Sequence, residues 1–251
     1  MAATDASPVL LEVRNVTRRF GELVAVDDVS FTVTEGQVFG IAGPNGSGKS
    51  TLFNVITGIP FPPSSGAVLL RGEEIQRLRP HQISRAGILR TFQKDAEFYT
   101  LTAFENVYTS AVYCGGAVGA DARRDSMQAL EDVALADDRR DRPVSELSVF
   151  ERKQLMIASA IAGRPKVLLL DEPAAGLTRP EVTQLADLIR TVHRRGITIV
   201  LIEHVLPLLL SVSEHLMVLN QGAVIASGTP KDVVRMPQVV EAYLGKREVS
   251  H

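Results

Sequence analysis

The sequence predicts an α/β fold, a mainly parallel sheet covered by helices with a helical segment inserted into it, on three observations. Strand-like and helix-like runs alternate in the second half of the chain: VLLLD at 167–171, a helical pattern from about Arg179 to Arg194, TIVLIE at 198–203, and short strands near 216–226. Such alternation predicts parallel strands with helices on both faces. A glycine-rich turn joins the apolar run VFGIA at 38–42 to helix-compatible residues from Lys49 to Thr57. Finally, the stretch from about Ala96 to Gly163 carries few strand signals and reads mainly as helices, with a polar, charge-rich middle from Asp121 to Arg142.

In chain order, residues 1–8 are small and polar and read as a loose terminus before a strand near Val9 to Val13. Between Leu23 and Val33, AVDDVSFTV predicts a second strand, and Glu35-Gly36 turns the chain into VFGIA. The helix from Lys49 closes at Gly58, and the loop PFPPSSG separates it from a strand near Ala67 to Arg71. The organised region is read as one domain over 9–245, with its helical subdomain at about 96–163 and a second loose terminus at 246–251. No internal repeat is present.

At 251 residues the chain is long enough to bury a sizeable core. Its 27 Lys and Arg face 29 Asp and Glu, so no chain-wide basic field points to nucleic acid or a membrane surface. The single cysteine, Cys114, forms no internal disulfide, and the N-terminus lacks the order of a signal peptide. The cytosol is the expected compartment. The most apolar stretch, Ile197 to Val212, is interrupted by Glu203, His204 and Pro207 and falls short of the ~20 apolar residues of a membrane helix. Work at a membrane would therefore require another chain as anchor.

The segment GPNGSGKST at 43–51 fits the phosphate-loop pattern G-x-x-x-x-G-K-[ST] through Gly43, Gly48, Lys49 and Ser50. Glycines let the backbone curl around phosphate oxygens and present N–H groups to them. The expected nucleotide contacts are Gly43, Pro44, Asn45, Gly46, Ser47, Gly48, Lys49, Ser50 and Thr51. Lys49 adds a mobile positive charge, Ser50 a hydroxyl for Mg2+, and the following helix directs its positive end toward the phosphates.

At 167–173, VLLLDEP places Asp171 and Glu172 at the C-terminal edge of the sheet, where ligands of such folds bind. Asp171 is expected to support Mg2+, and Glu172 to position and polarise the attacking water. An isolated acidic strand end is more often a solvated terminus; the phosphate loop tips this one toward chemistry. TIVLIE ends at Glu203-His204, from which the imidazole of His204 could reach the γ-phosphate. By itself His204 reads rather as a surface histidine, and Gln93 in TFQK as a solvated loop residue.

Together GPNGSGKST, Gln93, LSVFE at 147–151, VLLLDEP and His204 resemble, in order and spacing, the nucleotide-binding domain of ABC transporters. The resemblance implies a P-loop NTPase (RecA-like) core of mainly parallel sheet, an antiparallel β subdomain and an inserted helical subdomain. It also implies that Phe20 in RRFG stacks on adenine, that Gln93 ligates Mg2+ and orients water, and that Ser148 reaches the ATP of a partner cassette. Within the family, AVDDVSF, GPNGSGKSTLFNVITG, PHQISRAGILRTFQ and VVEAYLG are similar to the ATPase subunits of branched-chain amino-acid importers. The implied activity is ATP hydrolysis that powers solute import. The implied partners are a second ABC ATPase subunit, the same or paralogous, transmembrane permeases and, indirectly, a solute-binding protein. The chain would then lie at the inner face of the cell membrane, held there by the permeases.

Two positions depart from the family pattern. The usual L-S-G-G-Q or L-S-Y-G-E reads here Leu147-Ser148-Val149-Phe150-Glu151, with a bulky ring where glycine lets N–H groups approach the partner's γ-phosphate. Thr178 stands where Asp or Asn is common. Ser148 with Glu151, and Thr178 with Glu181, nevertheless fit capping boxes, so both helices are expected to start normally. The composite site that uses this chain's signature is expected to be slow or inactive, while the chain's own phosphate-loop and acidic residues stay competent if its partner supplies an intact signature. Phe150 thus supports an alternative function, a regulatory ATP-binding module with little hydrolysis. ABC proteins that act on nucleic acid or ribosomes commonly join two cassettes; one cassette without a basic extension implies no nucleic-acid partner. A general phosphoryl kinase would share the phosphate loop but leave LSVFE and His204 unexplained.

Overall fold

A computed structural model describes residues 7–92 and 98–244. The chain runs β1 (Val9–Phe20), β2 (Leu23–Thr34), β3 (Val38–Ala42), α1 (Lys49–Thr57), β4 (Ser65–Leu70), β5 (Glu73–Glu74), α2 (Pro80–Ala86), β6 (Ile88–Arg90), α3 (Ala103–Tyr113), α4 (Gly119–Asp132), α5 (Asp137–Arg140), α6 (Val149–Ala162), β7 (Val167–Asp171), α7 (Arg179–His193), β8 (Thr198–Ile202), α8 (Leu206–Val212), β9 (His215–Asn220), β10 (Ala223–Gly228), α9 (Pro230–Val233) and α10 (Pro237–Leu244). It forms two compact units, Met1–Arg79 with Val200–His251, and Pro80–Ile199. Among the described residues, no helix is long and apolar enough to cross a membrane.

The first unit contains the expected antiparallel sheet, ordered β2-β1-β4-β5. In β1, Val13 and Val16 are buried and sit opposite Phe31 and Val29 of β2. The strand continues to Phe20, well past the predicted Val13, through several register irregularities. These bulges carry the polar residues between the buried valines, which is why the alternation was only partly visible in sequence. The other sheet segment of this unit is built on β3, buried at all five positions and paired in parallel with β9, which pairs antiparallel with β10. An apolar run without alternation is what a strand covered on both faces requires. Helix α1 buries Leu52, Phe53, Val55 and Ile56. It ends at Gly58, whose φ of 66° lets its N–H turn back to the carbonyls of Asn54 and Val55.

In the second unit, β6 and β7 pair in parallel, and β7 is buried throughout. Helices α3, α4 and α6 pack on one another through small and aliphatic side chains, including Ala103, Val107 and Ala111 of α3, Ala122 and Leu130 of α4, and Leu155 and Ala158 of α6. Gln154 inside this bundle is satisfied by donating its amide to the carbonyl of Val133 at 2.6 Å. Among the described residues, three helices begin with a reciprocal cap. Thr102 and Glu105 close α3, and Ser148 and Glu151 close α6. At α7 the Glu181 carboxylate accepts both the N–H and the hydroxyl of Thr178 at 2.7 Å, and these bonds hold Glu181 below the usual glutamate range. The two capping boxes expected from sequence are therefore formed.

Candidate functional site

The first unit carries the phosphate loop between β3 and α1. Gly43 leaves β3 with φ 149°, and a Cβ there would lie 2.2 Å from the carbonyl oxygen of Leu219; at Gly48, φ 101°, a Cβ would lie 2.3 Å from that of Ala25. Only glycine lets the loop nest this tightly on β9 and β2. The turn is braced by the N–H of Ser47 on the Pro44 carbonyl at 3.2 Å and by the N–H of Gly222 on the Ser47 carbonyl at 3.0 Å. Asn45, Gly46 and Ser50 are exposed, Pro44 and Thr51 partly so, and Ser47 and Lys49 buried.

The Lys49 ammonium folds back into the loop and donates to the carbonyls of Gly43 at 2.8 Å and Pro44 at 3.0 Å. Unlike α3, α6 and α7, helix α1 has no side-chain cap and no acidic residue in its first turn. Its N-terminal amides and the lysine thus concentrate positive potential at one place with nothing anionic nearby in sequence, which suits a polyphosphate.

Two further predicted residues lie in this unit. Phe20, 40 % exposed at the end of β1, meets Phe61 edge-to-face at 4.9 Å, and the Arg18 guanidinium sits 4.7 Å from its ring centroid. His204, about half exposed, follows β8. The fully buried Glu203 carboxylate accepts the N–H groups of His204 at 3.1 Å and Val205 at 3.3 Å, so it fixes the turn that presents the imidazole.

The second unit carries the acidic strand end. Asp171 ends β7, buried; its Oδ2 accepts Nη2 of Arg90 at 2.6 Å, while Oδ1 is buried with no hydrogen-bond partner among the described residues. Glu172 follows with φ 47°, a left-handed conformation that costs a non-glycine residue of order 1–3 kcal/mol and re-aims its side chain from the strand direction. Ser148 caps α6, its hydroxyl accepting the Glu151 N–H at 3.2 Å and its own N–H going to Glu151 at 2.7 Å. Phe150 is half-buried and, with Gln154, Leu188, Asp132 and others, lines a cavity of about 450 Å³. Gln93 lies outside the described residues.

Sequence reasoning missed three groups at these places. Arg90 sits 81 positions from the carboxylate it pairs with, and Tyr243, whose hydroxyl accepts the Gly43 N–H at 2.7 Å, is 200 positions from its partner. Neither leaves a local signal. Glu203 had one, since an acid directly after the four buried apolar residues Ile199 to Ile202 must be satisfied where it stands.

The comparisons agree with this arrangement. Residues 26–175 match the ABC transporter family, and residues 223–249 match the branched-chain amino acid ATP-binding cassette transporter family. Similar relatives include the high-affinity branched-chain amino acid transport ATP-binding proteins BraF of Pseudomonas aeruginosa, 40 % identical over 94 % of this chain and 98 % of that protein, and LivG of Escherichia coli, 35 % identical over 96 % and 99 %. Among solved structures, the ADP conformation of MJ1267, an ATP-binding cassette of an ABC transporter, superposes with a TM-score of 0.86 at 33 % identity over 96 % of this chain and all of that one. With the phosphate loop, the acidic strand end and the capped signature helix all formed, this chain belongs to the ABC transporter family, among its ATP-binding cassettes of the branched-chain amino-acid transport branch.

Proposed function

We propose that this chain is the ATP-hydrolysing subunit of an importer whose solute is a branched-chain amino acid. The observation that carries the reading is the phosphate loop, where a helix N-terminus without a side-chain cap and a buried lysine ammonium donating to the loop's own carbonyls converge. ATP is the substrate. Phe20 stacks on its adenine, the amides from Gly43 to Thr51 cradle its phosphates, and Lys49 exchanges its loop carbonyls for phosphate oxygens. Glu172 polarises the attacking water and His204 contacts the γ-phosphate. Ser148, with the N–H groups at the start of α6, serves the ATP of a second cassette, the same or paralogous.

The hard oxygen donors of the chain fit Mg2+: the exposed Ser50 hydroxyl, and Asp171, whose buried Oδ1 awaits a donor such as a metal-bound water. Few protein ligands leave room for water and phosphate oxygens, as Mg2+ prefers. When bound, the ion neutralises charge that develops on the phosphates. Gln93 is assigned to the same task from the family resemblance.

Permease subunits would hold the chain at the inner face of the cell membrane, and a capture protein would deliver solute to them. The names of BraF and LivG supply the solute class. The test is uptake of radiolabelled leucine into proteoliposomes that contain this chain with the permeases encoded beside it. Uptake that requires ATP and is lost with Glu172→Gln supports the reading; uptake equal in the two rejects it.

A further inference from the structure

We infer that Tyr243, on the C-terminal helix α10, is a positioning residue of the phosphate loop, through which that helix controls nucleotide affinity. The inference rests on the nucleotide-binding reading of the loop.

The pairing of β3 with β9 is recorded up to Ala42 opposite Val218. The next residue, Gly43, is buried, and a buried amide beyond the end of a ladder must find another acceptor. Its N–H donates to the phenolic oxygen of Tyr243 at 2.7 Å. The rest of Gly43 is equally confined: the Leu219 carbonyl occupies the space of a Cβ, and Lys49 Nζ holds its carbonyl at 2.8 Å. Nucleotide phosphates would draw Lys49 away from that carbonyl. Tyr243 and Leu219 would then keep the first residue of the loop in place.

The helix that presents Tyr243 is itself anchored. Val239 is buried, and the Gln238 amide reaches the Ile225 carbonyl of β10 at 3.5 Å. The hairpin of β9 and β10 touches the loop again through Gly222 and Ser47. Burial pushes the Tyr243 phenol above its ordinary range, so the hydroxyl stays neutral. Tyr243 also falls in the segment matched by the branched-chain family and outside the segment matched by ABC transporters at large.

Tyr243→Phe removes one oxygen and keeps the ring. Fluorescent ATP analogue binding to the full chain should weaken about five- to tenfold, the effect of losing one bond to a buried amide. KM for ATP should rise by a similar factor while kcat stays within about twofold, the split expected for lost ground-state binding. Hydrogen exchange, measured without nucleotide, should accelerate about tenfold at the peptide that contains Gly43 and remain unchanged elsewhere. An unchanged Kd and unchanged Gly43 exchange overturn the role of Tyr243 and leave the nucleotide reading standing. Faster exchange spread through the whole chain also overturns it, because Tyr243 would then be a general stability residue. Failure of the wild-type chain to bind the analogue overturns both readings.

Discussion

Arg90 and Asp171 form a buried ion pair in which one carboxylate oxygen is taken at 2.6 Å and the other is left buried without a partner among the described residues. The division matters for chemistry at a sheet edge. Arg90, 6 % exposed, brings a counter-charge from the neighbouring strand to a carboxylate at 2 % exposure.

Removing one member of this pair strands the other. Arg90→Met should cost about 3–5 kcal/mol, as uncompensated buried charges do, and Arg90→Met with Asp171→Asn should recover part of that loss. Urea unfolding of the two variants against wild type measures both. A loss below about 1 kcal/mol in the single variant would show that the pair is unimportant to the fold.

Lys49→Ala deletes the ammonium that donates to the Gly43 and Pro44 carbonyls as well as the proposed phosphate contact. Charge-assisted hydrogen bonds contribute roughly 1.5–3 kcal/mol each, so ATP affinity should fall at least about tenfold. Equilibrium binding decides; wild-type affinity in the variant would mean the loop does not hold phosphate through this residue.

His215 stacks on Phe39 with centroids 5.1 Å apart and meets the Ser227 hydroxyl at 2.8 Å, and burial holds its imidazole below the ordinary histidine range. Below pH about 6.5 the unfolded chain then binds a proton that the folded chain refuses. The stability this residue contributes is present above that pH and is lost as pH falls toward the depressed folded value. Thermal midpoints between pH 7.5 and 5.5 should fall less steeply in His215→Phe than in wild type; parallel curves would contradict this.

Phe150 stands where a glycine is usual, yet its half-buried ring lines the cavity beside Gln154 and Leu188, and the backbone N–H it carries belongs to the first turn of α6. Against the slow composite site expected from the sequence, Phe150→Gly should lower the thermal midpoint and leave ATP turnover within about twofold, the cost coming from a lost apolar contact and a glycine in a helix. A tenfold gain in turnover would instead show that the ring obstructs the partner's phosphate.

Where punctuation and burial coincide, the structure was legible in advance. Helix α1 runs from Lys49 to Thr57 as read, because Gly48 and Gly58 bound it, and β3 and β7 match their apolar runs because both are covered on both faces. Ser148 with Glu151 and Thr178 with Glu181 announced their helices through local hydrogen-bond chemistry. The far half of β1 was hidden by bulges that break alternation. Arg90 and Tyr243 were hidden for a different reason: their roles are set by strands and helices brought together from distant parts of the chain, and an arginine or a tyrosine alone carries no sign of its partner.

The central claim, that this cassette turns over ATP through Glu172, is tested most directly by hydrolysis of ATP by the purified chain with Mg2+, beside Glu172→Gln. The account predicts a wild-type rate that falls at least about a hundredfold in the variant while ATP binding is retained, the scale of removing a general base. Equal rates in the two proteins, or ATP binding without hydrolysis by wild type even with its partner subunits present, would contradict it.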